Sequence, residues 1–284
     1  MRISAEARPP SDAAAKPPGL PARWLRRIVV VAFISVAAGA LYLAPHGLLG
    51  TADGVAYAVC HRIDLRSFHL GERALPLCAR CTGTFLGVFL GTGLLLATGR
   101  GKRSGWPRTP LILVLAALVV PWFVDGTNSF AALVGGLPTL YAPQNWLRLT
   151  TGALVGLVMP VFLLPAVNQT LWRDQDPRPI LASFGELALY LVAAPIIIGL
   201  VLPENALLLY PLALFSVIGV LATLCGVYVV LWLVILRSEN RIVRLGEAWP
   251  HLLAALTLAL LHISAIDMLR YSLTGTWGGL RLGG

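Results

Sequence analysis

The chain has 284 residues, of which 57% are hydrophobic and only 12% charged, with a formal net charge of +9 and a mean hydropathy of +0.78. Soluble domains average about a quarter charged residues, so half that level with repeated long apolar runs excludes an ordinary soluble enzyme and indicates an integral membrane protein. The positive charge is no nucleic-acid signal either, because most of the arginines and lysines sit in short segments between apolar runs.

Lipid offers no partner to backbone N–H and C=O groups, and the runs are continuous rather than alternating. The expected fold class is therefore all-α, a polytopic transmembrane helix bundle of about seven spans. Residues 1–22 are rich in Pro and Ala without an apolar period and read as a disordered tail. Arg23, Arg26 and Arg27 precede the first span, Ile28 to about Leu43. Ala38-Gly39-Ala40 also resembles a signal-peptidase site, but the long leader and the apolar continuation to Leu49 favour a retained helix. A Cys/His-rich loop follows. The second span is predicted near Thr82–Thr98, and the third at about Leu111–Val124, ending at Asp125-Gly126. A loop without Lys or Arg then runs to Trp146. The fourth span is about Leu147–Pro165, the fifth Ile180–Leu202, the sixth about Leu207–Leu236 and the seventh about Trp249–Leu273.

The charges alternate with the spans. Arg23/26/27, Arg100 to Arg108, Arg173/178 and Arg237/241/244 fall on one side, and the segments 125–146 and 203–206 opposite carry none, the exception being the Cys/His loop with Arg62, Arg66, Arg73 and Arg80. Positive residues accumulate on the cytoplasmic side, which predicts N-in/C-out, with the Cys/His loop outside the cytoplasm of a cell (inner or plasma) membrane. Three parts are expected: a cytoplasmic tail over residues 1–24, a four-helix membrane domain over 25–165, and three further spans over 166–284. Gly83, Gly87 and Gly91 recur every four residues, as do Gly152 and Gly156. Small-xxx-small spacing lets backbones approach in lipid, so the second and fourth spans are expected to touch.

The stretch Cys60–Gly91 concentrates the chemistry. Cys78-Ala-Arg-Cys81 places a C-x-x-C at a helix start, where free N–H groups favour thiolate. Cys60-His61 lies upstream and His69 between. Cys60, His61, His69, Cys78 and Cys81 are the candidate ligands of a tetrahedral metal site, zinc by donor type. Redox-active thiols and a structural disulfide are the competing readings. Arg66, Arg80 and Arg148 form a candidate surface for an anionic or lipid-linked substrate, with Asn128 and Asn145 beside it. Asp125 and Arg148 are candidate catalytic groups, a general base and an anion clamp, or simply an ion pair between helices. Asp267 and Arg270, three apart on the last span, read as an ion pair.

Cys60-His61, Arg66-Ser67-Phe68, Gly71, Cys78-x-Arg80-Cys81, Gly83 and Gly87, followed by Asp125-Gly126, Asn145, Leu147-Arg148 and Thr151-Gly152, together resemble the signature of the domain-of-unknown-function family numbered 2085, a family of uncharacterised membrane proteins. The resemblance covers roughly Tyr57–Gly156 and departs from the pattern at Arg62, Phe85 and the segment after Gly126. It implies membership and no activity. Three functions remain open: a metal site acting on a lipid-borne or exported anion, a thiol–disulfide relay passing electrons to a quinone, and a non-enzymatic subunit or transporter within an oligomer or complex.

Overall fold

A computed structural model describes residues 22–135 and 137–279. The tail expected over 1–24 therefore lies, as far as residue 21, outside the described residues. Among the described residues seven helical segments are long and apolar enough to cross a membrane, and the protein is an all-α polytopic bundle.

Helix α1 (Ala22–Leu43) runs unbroken through the Ala38-Gly39-Ala40 triplet. It does not continue to Leu49. The chain breaks at Pro45 and Gly47, the latter at φ +86°, and re-enters a short helix α2 (Leu48–Val59) that is buried from Gly50 to Tyr57 on most of its faces. Periodicity misses this helix because its twelve residues merge with the apolar run before it. After α2 the chain is extended, makes a 3-10 turn at Asp64–Arg66, and forms a two-stranded hairpin of β1 (His69–Leu70) and β2 (Arg73–Ala74). Gly71, at φ +65°, makes its turn.

Helix α3 (Ala79–Ala97) is the centre of the bundle, and α5 (Asn145–Leu171) lies against it along its length. The glycine expectation holds in detail. A Cβ on Gly87 would come within 2.7 Å of Ala153 O and 2.8 Å of Gly156 Cα, and one on Gly152 or Gly156 would collide with the backbone of Arg80 or Thr84. The two main chains are in contact. An adjacent face of α3 receives α8 (Ala206–Ile235), whose Gly219 abuts the Phe85 carbonyl. Helix α4 (Thr109–Val134) packs on α5, and α9 (Leu245–Thr274) packs on α8, α1 and α2.

Two expected boundaries change. The third span does not stop at Asp125-Gly126, and α4 continues two more turns to Val134. The polar residues there turn inward, with Asp125, Asn128 and Ser129 all buried, so helix formation is supported by side-chain pairing instead of being ended by it. The fifth span is split into α6 (Phe184–Leu191) and α7 (Ala193–Val201). Pro195 has no N–H to donate back to Leu191, which loosens the ladder at the join. At the end of α3 away from the cysteines, β3 (Arg103–Gly105) pairs in parallel with β4 (Asp176–Pro179). Arg100 bridges there to Glu186 at 2.8 Å and to Ile180 O at 2.7 Å.

Candidate functional site

The site is built where the end of α2 meets the start of α3. Cys60 caps the C-terminus of α2. Cys78 occupies the N-cap position of α3 and Cys81 its first turn, so the C-x-x-C spacing places both on the face toward Cys60. Cys60 Sγ accepts the backbone N–H of Arg62 at 3.4 Å and that of Cys78 at 3.3 Å. The thiols of Cys78 and Cys81 also donate to it, and together these donors hold Cys60 well below the ordinary thiol range. The same sharing pushes Cys78 up to about 12, because its proton is held on the Cys60 sulfur. The three cysteines are free thiols whose hydrogen bonds converge on the Cys60 sulfur. The ligand atoms of Cys60, His61 and Cys78 all lie within 4.8 Å of one another, so this group could hold a metal.

The bend that brings Cys60 and His61 together is strained. Arg62 sits at φ +52°, a left-handed conformation uncommon for a residue with a Cβ. It is pinned from three directions. Arg62 pairs with Asp53 of α2 at 2.7 Å and donates to Trp277 O at 2.9 Å. From α9, the Arg270 guanidinium donates to Cys60 O at 2.6 Å, to Tyr57 O at 2.5 Å and to His61 O at 3.2 Å, and lies over the Tyr57 ring. The expected Asp267–Arg270 ion pair is absent among the described residues: the three carbonyls take the guanidinium instead. At His61 the Ile63 N–H donates to Nδ1 at 3.1 Å, which places the proton of the neutral ring on Nε2. Burial lowers the His61 pKa, and the charges of Arg66, Arg80 and Arg148 lower it further, against the opposing pull of Cys60.

Those three arginines form the second half of the site. Asp125 is the carboxylate among them. It accepts from Arg80 through one oxygen and from the Tyr141 hydroxyl through the other at 3.1 Å. Ser129, one turn on, gathers all three guanidiniums: its hydroxyl accepts from Arg80 at 3.1 Å and from Arg148 at 3.4 Å, and its carbonyl from Arg66 at 2.8 Å. Arg148 is buried in the first turn of α5 and donates to Asn145 at 2.7 Å. Asp125 therefore pairs with Arg80, not with Arg148. Three guanidiniums face one carboxylate, an excess of positive charge beside the thiols.

The other residues read from the sequence are placed as follows. Asn128 spends its amide on Leu140 N and Tyr141 O, and Asn145 spends its N–H₂ on Leu65 O and Ser67 O. Both hold loops in place. His69 stands apart from the sulfurs, with Nε2 3.1 Å from Asp64 Oδ1 and its backbone N–H on Glu204. Sequence reasoning missed Ser129 and Tyr141, and gave Arg270 the wrong partner. Ser129 was within reach, since it lies four residues from Asp125 on the same helical face. The partners of Tyr141 and Arg270 are distant in the chain and carry no local signal.

Residues 60–162 match the model of the family described as Predicted membrane protein (DUF2085). An uncharacterised protein of Methanothermobacter thermautotrophicus is 33% identical over 103 residues, 36% of this chain and 82% of its own length. The chain belongs to this family. A further relative of the DUF2085 segment, an uncharacterised protein of Methanocaldococcus jannaschii, is 28% identical over 115 residues, 40% of this chain and 67% of that protein. No solved structure matches. The matched segment spans Cys60, His61, Cys78, Cys81, Asp125 and Arg148, while α8 and α9 lie beyond it.

Proposed function

We propose that the sulfurs of Cys60, Cys78 and Cys81, with His61, bind a transition metal, and that Arg66, Arg80 and Arg148 hold an anionic group of a lipid-borne or exported substrate next to it. The observation that carries this reading is the gathering of three thiols, with two backbone N–H groups donating to the Cys60 sulfur, near three guanidiniums that converge on Ser129. Thiolate-rich donors suit zinc and other soft ions, and backbone N–H groups aimed at a sulfur stabilise it as a ligand. A bound metal would act as a Lewis acid toward an anion held by the arginines. Asp125 works through Arg80, since both of its oxygens already accept hydrogen bonds. His61 would join the ligand set through Nδ1, the nitrogen without a proton, by giving up the hydrogen bond from the Ile63 N–H. His69, engaged with Asp64, is left outside that set. The charge pattern favours an extracytoplasmic site in the plasma membrane.

Metal analysis of the purified full-length protein tests the reading. Stoichiometric metal is expected in the wild type and a large loss in Cys78→Ser, with Arg148→Ala keeping its metal. No metal in the wild type, or equal metal in Cys78→Ser, overturns it.

A second reading rests on the same three thiols being reduced and hydrogen-bonded to one another. Cys78 and Cys81 would close a disulfide, with Cys60 resolving it, and pass two electrons and two protons to a membrane quinone. Alkylation trapping separates the two readings: thiols that never change state under oxidant or reductant exclude the relay.

A further inference from the structure

Behind the Cys60 loop, between α1, α2 and α9, lies a cavity of about 910 Å³, within the size range of small-molecule sites. Its wall is mainly apolar, with Ala37, Ala40 and Leu41 on one side and Leu260 and Ile263 on the other. The lining runs along α9 from Leu260 to Tyr271, about 16 Å at the rise of an α-helix. Its length suits an extended hydrocarbon chain. His46, Thr51 and Ser264 also line it, and Asp267 is its one carboxyl group. Asp267 lines the cavity and is only 7% exposed, and among the described residues it accepts no hydrogen bond, its Oδ1 being buried without a partner. A carboxyl group left unpaired inside a membrane bundle is costly, whereas the buried Asp53 pairs with Arg62 and Arg73 and the buried Asp125 with Arg80.

We propose that this cavity binds a single-chain lipid alcohol, the hydrocarbon lying along α9 and the hydroxyl donating to Asp267. The head-group chemistry follows from the charges around it. The guanidiniums of Arg270 and Arg62 already face Asp267, so a cationic amine is disfavoured, and an anionic head would meet the carboxylate itself. A neutral O–H donor supplies the missing hydrogen bond without adding charge. The site is distinct from the cysteine cluster, although Val55 and Ile263 belong both to the cavity wall and to the apolar packing around Cys60 and Cys78.

The test uses the full-length protein in phosphatidylcholine nanodiscs and a diazirine-bearing hexadecanol as probe, with labelled peptides mapped by mass spectrometry. Labelling is expected to saturate on α1 and α9 and to be displaced by hexadecanol. Hexadecyl methyl ether, which cannot donate, should compete about tenfold more weakly, the scale of one hydrogen bond to a charged acceptor. Asp267→Leu should abolish the difference between alcohol and ether, and Ala40→Phe, which fills the cavity from α1, should suppress labelling. Labelling that rises linearly with probe and ignores Ala40→Phe identifies bulk lipid contact and overturns the proposal. So does equal competition by the ether, or stronger competition by hexadecylamine or palmitate. Should Asp267→Leu fail to fold, the alcohol–ether comparison on the wild type decides alone.

Discussion

The Arg80–Asp125 pair is the joint on which the charged half of the site depends, and removing one partner measures it. Asp125 is 1% exposed and the Arg80 side chain 17%, so neither charge is well solvated. Asp125→Leu leaves Arg80 buried beside Arg148 and Arg66 with no carboxylate and orphans the Tyr141 hydroxyl. Breaking a buried pair from one side costs about 3–5 kcal/mol. The lower end applies here, because helices unfolded within a micelle still find polar partners. Arg80→Met should cost a similar amount, and the double variant well under the sum, for a coupling of about 2–3 kcal/mol. The assay is reversible unfolding in mixed micelles, with wild type, both singles and the double on one cycle. A loss below about 1 kcal/mol for Asp125→Leu, or a coupling near zero, would refute the claim that these groups form one buried network.

Further outcomes follow from neighbouring contacts. Gly156→Ala drives a methyl into the Thr84 carbonyl; overpacking of this kind costs about 1–3 kcal/mol, read as a lowered unfolding midpoint, whereas Gly199→Ala, with nothing within 4 Å, should be neutral or stabilising. Arg270→Met frees the carbonyls of Tyr57, Cys60 and His61; metal affinity should fall by about 10–100-fold and maleimide should label Cys60 faster. Burial raises the Tyr141 pKa, and the bond to Asp125 raises it further. Its ring stays protonated past about pH 10, where an unfolded tyrosine ionises, so its stabilising contribution is intact below that pH and fades above it. Wild type minus Tyr141→Phe difference spectra should show the raised titration, and Asp125→Asn should bring it back toward pH 10.

The membrane class and most of the spans were legible because lipid imposes one rule, a long apolar helix, that composition displays directly. The α3–α5 contact was legible too, since glycine at every fourth position has few other uses. What escaped was tertiary. Asp125-Gly126 looked like a helix end because both residues are poor helix formers in isolation, yet the pairing of Asp125 with Arg80 and Tyr141 carries the helix through. Arg270 was noticed beside Asp267, but its true partners are carbonyls some two hundred residues away, and carbonyls leave no mark in a sequence. His69 resembled Cys60 and Cys78 by proximity in the chain, and the hairpin at Gly71 turns it elsewhere.

The main-chain contact between α3 and α5 also fixes where two of the site's arginines are rooted. Arg80 and Arg148 stand within one turn of that contact, on helices that cannot slide without glycine meeting a carbonyl. The gap between their backbones is thus set like the jaws of a fixed gauge, and only the side chains adjust.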